Sequence, residues 1–236
     1  MGNEGDCMKV RVGIILLLIA AAFVATFYVN IDPLKLLQHI VVSLTRMIAG
    51  YSVSLLFSFI FSIILGLSKY LRMAVKPLLS FLISIPTITW VPLLLVVTGI
   101  SEKTIIIAIF LGSFFAITFN TIDGFDNVQG SLIRVGRILG YRRIKILTNI
   151  MIPASFNSIL VGLKLGIAYS WRALVGAEML GAVQVGLGYL VFASRKYYDL
   201  QMMILALCLI GALGFLLNRI LIDTVERNTI VKWGIK

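Results

Sequence analysis

Five cations crowd one short stretch of an otherwise apolar chain: Arg134, Arg137, Arg142, Arg143 and Lys145, between Gln129 and Pro153. Leu132, Val135, Ile138 and Leu139 lie toward one side of the first half and Arg134 and Arg137 toward another. Such a surface can pair with anionic groups and bury aliphatic carbon at the same time. Gly140 divides the stretch, and glycine costs about 1 kcal/mol inside a helix, so two short helices joined by a turn are expected. A second set is Lys164, Trp171 and Glu178, spaced by sevens, which keeps them near one helix face over about 21 Å. Lys164 reads as a residue snorkelling to the inner interface, ahead of a substrate contact. Trp171 fits packing, an interfacial belt or a pore lining. A carboxylate at membrane depth is costly, so Glu178 calls for a cavity or a cation, with Arg172 as one possible partner; an outer interfacial position in water is the alternative.

Reaction chemistry finds no support in these residues. There is no G-x-x-x-x-G-K-[ST] phosphate loop, no H-E-x-x-H, no G-x-S-x-G and no pair of intramembrane carboxylates. No catalytic residue, cofactor or enzyme activity is expected. Cys7 and Cys208 make neither a disulfide framework nor a metal spacing, and His39 has no His or Cys nearby, so no metal is expected.

The elements that must hold these residues are membrane helices. Hydrophobic residues make up 60% of 236 and charged residues 13%, with a mean hydropathy of +1.03. Soluble domains are roughly one-quarter charged, whereas about 20 apolar residues span a bilayer. An all-α, polytopic chain of six spans follows: Val12–Val29, retained rather than cleaved, then about Met47–Leu67, Leu78–Val97, Thr104–Ile122, Asn157–Val175 and Leu200–Leu221. Ile31–Arg46 reads as a stretch on the outer surface, and Lys69, Arg72 and Lys76 as a loop closed by Pro77. Pro86 and Pro92, flanking Trp90, should kink or break the third span. Gly162 and Gly166 form a G-x-x-x-G pair suited to close helix approach. Two regions result, 1–41 with the first span and an outer connection, and 42–236 with the rest.

The net charge of +11 is topological before it is anything else. With the N-terminus inside, fourteen cations fall in inner segments and five in outer ones (Lys35, Arg46, Lys103, Arg195 and Lys196). Both termini are therefore expected in the cytoplasm, and the cationic hairpin on the same side. No extended basic surface exists to follow a nucleic acid. From the residues alone, that hairpin could rest on anionic lipid or dock on another protein.

A resemblance separates these alternatives. The hairpin resembles the cytoplasmic "EAA" loop of ATP-binding-cassette importer permeases, patterned E-A-A, three residues, Gly, nine residues, I-x-L-P. Gly140 takes the glycine, Ile150 follows ten residues later, Ile152-Pro153 stands for L-P, and Arg134-Val135-Gly136 replaces E-A-A. Ile85-Pro86, Trp90-Val91-Pro92, Gly162-Leu163-Lys164, Trp171 through Ala177-Glu178-Met179, and Gly186-Leu187-Gly188 extend the likeness over Val42 to Trp233. The group resembled is the type I nitrate, sulfonate and taurine permeases. It implies a homodimer in the plasma or inner membrane that grips two cytoplasmic ATP-binding subunits below an extracellular or periplasmic substrate-binding protein, with lipid around it. Arg134, Arg137, Gly140, Tyr141, Arg142 and Pro153 would couple to the ATPase; Trp90, Trp171 and Glu178 would line or gate the pathway, with a small anion or organic solute as substrate. The competing class is a gradient-driven carrier or scaffold without an ATPase, which should bury ionisable residues in several spans.

Overall fold

The computed structural model describes residues 32–181 and 183–233, with side chains to Arg219; the expected span Val12–Val29 lies outside the described residues. Every regular element among the described residues is helical. Helix α1, Pro33–Gly66, starts where Asp32 accepts the Leu34 N–H at 3.0 Å and Pro33 occupies the first turn, two features that favour a helix start. Residues 33–46, expected as a surface stretch, are thus the opening turns of α1. At 1.5 Å per residue α1 is about 51 Å long, well beyond the ~30 Å hydrocarbon layer.

Helices α2 (Lys69–Ser84) and α3 (Thr87–Thr98) meet at a 90° bend. Pro86 disfavours the helical region for the residue before it, and Ile85 is extended, with ψ 118°. The expected break is therefore at Pro86. Pro92 lies inside α3 and Pro77 inside α2, so Lys69, Arg72 and Lys76 stand on a helix instead of in a loop. Next come α4 (Glu102–Asp126), α5 (Gly130–Ile138), the short α6 (Arg143–Ile146), a π turn over Leu147–Met151 and a turn at Ile152–Ala154. Helices α7 (Phe156–Met179), α8 (Leu187–Tyr197) and α9 (Leu200–Trp233) complete the described chain; α8 has no counterpart among the sequence expectations. Four of these helices are long and apolar enough to cross a membrane, and the bent α2–α3 pair makes up to five.

The centre is α4, flanked by α7 and by α1. On α1, Gly50, Ser54, Ser58, Ser62 and Gly66 recur every four residues and are all buried. Gly50 lies against Ile109, while Ser54 and Ser58 donate to the carbonyls of Phe110 and Phe114, each at 3.4 Å. On the opposite flank Gly162 and Gly166 both rest on Ile117, as the G-x-x-x-G pair suggested. Lipid is as apolar as a leucine side chain, so helices associate here by such close backbone approach.

A side chain at Gly162 would place its Cβ 2.9 Å from Asn120 Cβ and 3.2 Å from the Ile117 carbonyl. Gly162→Val should therefore destabilise the α4–α7 contact by about 1–3 kcal/mol. Thermal unfolding of the purified protein checks this, with the exposed Val161→Leu expected to melt like the parent.

Candidate functional site

The cationic stretch folds as a knuckle. Helix α5 ends in a Schellman turn, with the Gly140 N–H donating to the Arg137 carbonyl and the Tyr141 N–H to the Gly136 carbonyl, both at 3.0 Å. Gly140 has φ +74°, the left-handed region that glycine enters freely. Gly136 is buried, and a Cβ there would come within 2.5 Å of Ile150 Cδ1. Behind the turn Ile146, Leu147 and Met151 are buried with Leu65, Leu79, Ile122 and Phe125. The base of the knuckle is thus fixed in a core of its own.

Its outer surface is not covered. Arg134, Arg137, Arg142, Arg143 and Lys145 are exposed, and so are Ile138 (83%), Leu139 (64%) and Ile144 (64%). The apolar side of α5 faces outward, and the inward side is carried by Gly136 and Ile133. Tyr141 is half-buried, with Lys145 Nζ 5.9 Å from its ring centre. Arg142 caps α6, and Pro153 sits in the Ile152–Ala154 turn just before α7. Next to the knuckle, Arg72 binds Asp126 at 2.8 Å and the Gly66 carbonyl at 2.8 Å, and Lys76 binds Asp123 at 2.7 Å. These pairs tie the ends of α1, α2 and α4 together there.

At the opposite ends of α1, α4 and α7 lies a second polar centre. Glu178 has no solvent exposure. Its carboxylate accepts from Arg46 Nη1 at 2.9 Å, from Ser43 Oγ at 2.9 and 3.0 Å, and from the Gly188 N–H at 2.9 Å. Arg46 also donates to Glu102, through Nε at 2.6 Å and through Nη2, and to the Val185 carbonyl. The Leu187 N–H donates to Ser43 Oγ, and the Gly186 N–H to His39 Nδ1, each at 2.9 Å. His39, Ser43 and Arg46 share one face of α1 by helical spacing. Gly186, at φ +146°, and Gly188 let the loop close over Glu178: a Cβ at 186 would strike the carboxylate, and one at 188 would come within 2.5 Å of the Val175 carbonyl.

The sequence grouped Trp90, Trp171 and Glu178, and the structure does not bring them together. Trp90 lines a cleft of about 300 Å³ at the α2–α3 elbow, with Pro86, Thr87, Gly112, Tyr169 and Arg172. Trp171 is enclosed between α7 and α9, where its Nε1 donates to the Ile210 carbonyl at 3.2 Å and its ring lies on Gly214. Glu178 is paired with Arg46, not with the Arg172 that its own helix offered. His39, Ser43, Arg46 and Glu102 went unrecognised. The signal available for His39, Ser43 and Arg46 was the polar stripe on α1, masked by reading that segment as a surface stretch.

Removing one partner of a buried ion pair strands the other charge, at a cost of about 3–5 kcal/mol. Arg46→Met strands the fully buried Glu178 and should lower stability by that order, and adding Glu178→Leu should recover much of it. Melting of the purified single and double variants measures both effects.

Residues 54–229 match the family described as the binding-protein-dependent transport system inner membrane component. An ABC transporter permease protein of Methanocaldococcus jannaschii is 34% identical over 185 residues, 78% of this chain and 69% of that protein. The nitrate import permease protein of Synechocystis sp. is 33% identical over 181 residues, 77% of this chain and 66% of its own. The taurine transport system permease protein of Escherichia coli is 30% identical over 181 residues, with the same shares, 77% and 66%. Membrane-length helices and these matches agree: the chain belongs to the binding-protein-dependent inner membrane components, the non-enzymatic permease subunits of ABC importers, which work with a separate ATP-binding subunit and a substrate-binding protein.

Proposed function

We propose that the α5–Gly140–α6 knuckle is the coupling element through which this permease docks on its ATP-binding subunit, with both chain termini on that same, cytoplasmic side. The observation that carries the proposal is the pairing of exposed Ile138 and Leu139 with exposed Arg137 and Arg142 on a base held rigidly in the core. Aliphatic anchors ringed by arginines are what a protein groove with an acidic rim accepts, and anchors of this kind dominate interface energies. Arg134, Tyr141 and Pro153 shape the same turn and belong to the same element. The excess of cations at this end of the chain supports the orientation.

A second copy of the chain completes the pathway in this reading. The elbow cleft with Trp90 opens to one side of the protomer, and α7 leaves Val161, Leu165 and Arg172 exposed along it. Leu56, Phe57, Ile60 and Ile64 of α1 are exposed and face the acyl chains. Trp171 and Glu178 serve the pathway indirectly, by fixing α7 against α9 and α1. Movement of the knuckle on nucleotide binding then swings α7 as a unit and opens the cleft alternately to either side. The cargo is a small anion or related organic solute, as the nitrate and taurine permeases among the relatives suggest.

Ile138→Asp places a charge on an 83% exposed position and should leave folding intact. Loss of an interface anchor costs on the order of 2 kcal/mol, about 30-fold in affinity. In membranes coexpressing the ATP-binding subunit, the variant should insert normally, fail to copurify that subunit and lose uptake by at least that factor. Normal copurification and uptake would reject the docking assignment.

A further inference from the structure

Among the described residues, Arg172 on α7 makes no ion pair with a carboxylate. Glu102 and Glu178 bind Arg46, and Asp123 and Asp126 bind Arg72 and Lys76. The contact made by Arg172 is with a ring: its guanidinium carbon lies 5.6 Å from the centre of the Tyr169 ring, one turn earlier on α7. Seven residues separate Arg172 from the end of α7 at Met179, about 10 Å along the axis. A snorkelling arginine would reach toward that nearer end. The guanidinium lies instead over Tyr169, on the side away from that end, and it lines the elbow cleft. An intramembrane cation that lines a cavity marks a ligand pathway.

The cleft suits one class of ligand. Its volume of about 300 Å³ compares with about 30 Å³ for each water in the liquid, which leaves room for a small ion and part of its hydration. Opposite Arg172 the chain bends at Ile85–Pro86, and α3 opens into the cleft at Pro86, Thr87 and Ile88 without a side-chain cap. The partial positive charge of that helix end adds to the guanidinium. Gly112 forms part of the wall, where a Cβ would stand 3.2 Å from both Thr87 Cγ2 and the Tyr169 carbonyl. No carboxylate lines the cavity.

We infer that Arg172, held by Tyr169 at the α2–α3 elbow, is the group that binds a small oxyanion in the translocation cleft, an assignment that rests on the importer reading above and supplies the charge selectivity of that pathway. The planar guanidinium offers two parallel N–H donors to two oxygens of a nitrate, carbonate or sulfonate group. A neutral or cationic solute of the same size gains nothing from it. Trp90, in the same cleft, reports on occupancy.

The test uses the full-length chain in phospholipid nanodiscs. Trp171→Phe and Trp233→Phe leave Trp90 as the one indole of the three in the sequence. Nitrate serves as a charged quencher and acrylamide as an uncharged one, at constant ionic strength. In this background nitrate quenching should saturate. R172Q should lower the apparent nitrate affinity at least about tenfold while acrylamide quenching stays unchanged, and R172K, which keeps the charge but not the fork, should fall between. Equal nitrate quenching in parent and R172Q overturns the assignment. So does a parallel loss of nitrate and acrylamide quenching in both variants, since the arginine would then only prop the cleft open. No ATP-binding subunit takes part, so this result is independent of the docking experiment with Ile138→Asp.

Discussion

A carboxylate with no solvent exposure at the end of a membrane helix must be neutralised by its surroundings, and Glu178 obtains this from two separate elements. Arg46 and Ser43 come from α1, and the Gly188 N–H from the start of α8. Arg46 is shared with Glu102 at the start of α4. Four helices are thereby locked in one relative register at one end of the bundle. Burial makes the lock strong in one sense only: the assembled pair is tolerable, whereas Glu178 without Arg46 is not. The two glycines of Gly186-Leu187-Gly188 are explained by the same constraint, because any side chain at 186 or 188 would occupy the space of Glu178 or of the α7 backbone.

Helix α7 connects this lock to everything else. It begins just after the Ile152–Ala154 turn that leaves the knuckle, passes the cleft at Tyr169 and Arg172, and ends at the lock. Gly162 and Gly166 sit on Ile117 of α4, and the two helices are close-packed along much of their length. A close-packed interior shifts between discrete arrangements and does not deform smoothly. In the proposed coupling, a force applied at the knuckle is delivered to the elbow and the lock by rotation of α7 together with α4. The elbow is the compliant part, since the break at Pro86 leaves α2 and α3 without a shared hydrogen-bond ladder.

Local rules made much of this legible. Gly140 at the centre of a cationic run identified a turn, and the turn is there with positive φ. The G-x-x-x-G spacing identified the face of α7 that meets α4. Proline identified the elbow, although Pro86 and Pro92 looked alike in sequence and only the first breaks the chain. What escaped was long-range. Arg46 and Glu178 are 132 residues apart, whereas Arg172 is six positions from Glu178 and was the obvious local candidate. The start of α1 at Asp32-Pro33 carried a capping signal that was outweighed by the scattered charges after it. Those charges looked like a surface stretch because a helix burying His39, Ser43 and Arg46 against a distant carboxylate has no one-dimensional signature.

The central claim is mechanical: the knuckle is gripped by a nucleotide-driven subunit on the inner side of the membrane. A single cysteine at position 138, in a chain whose Cys7 and Cys208 are replaced, tests it most directly by cross-linking in native membranes. The account predicts a covalent adduct with the ATP-binding subunit whose yield changes with bound nucleotide, and no labelling by a membrane-impermeant maleimide applied to intact cells. Labelling from outside, or a cross-link pattern without the ATP-binding subunit, would contradict it.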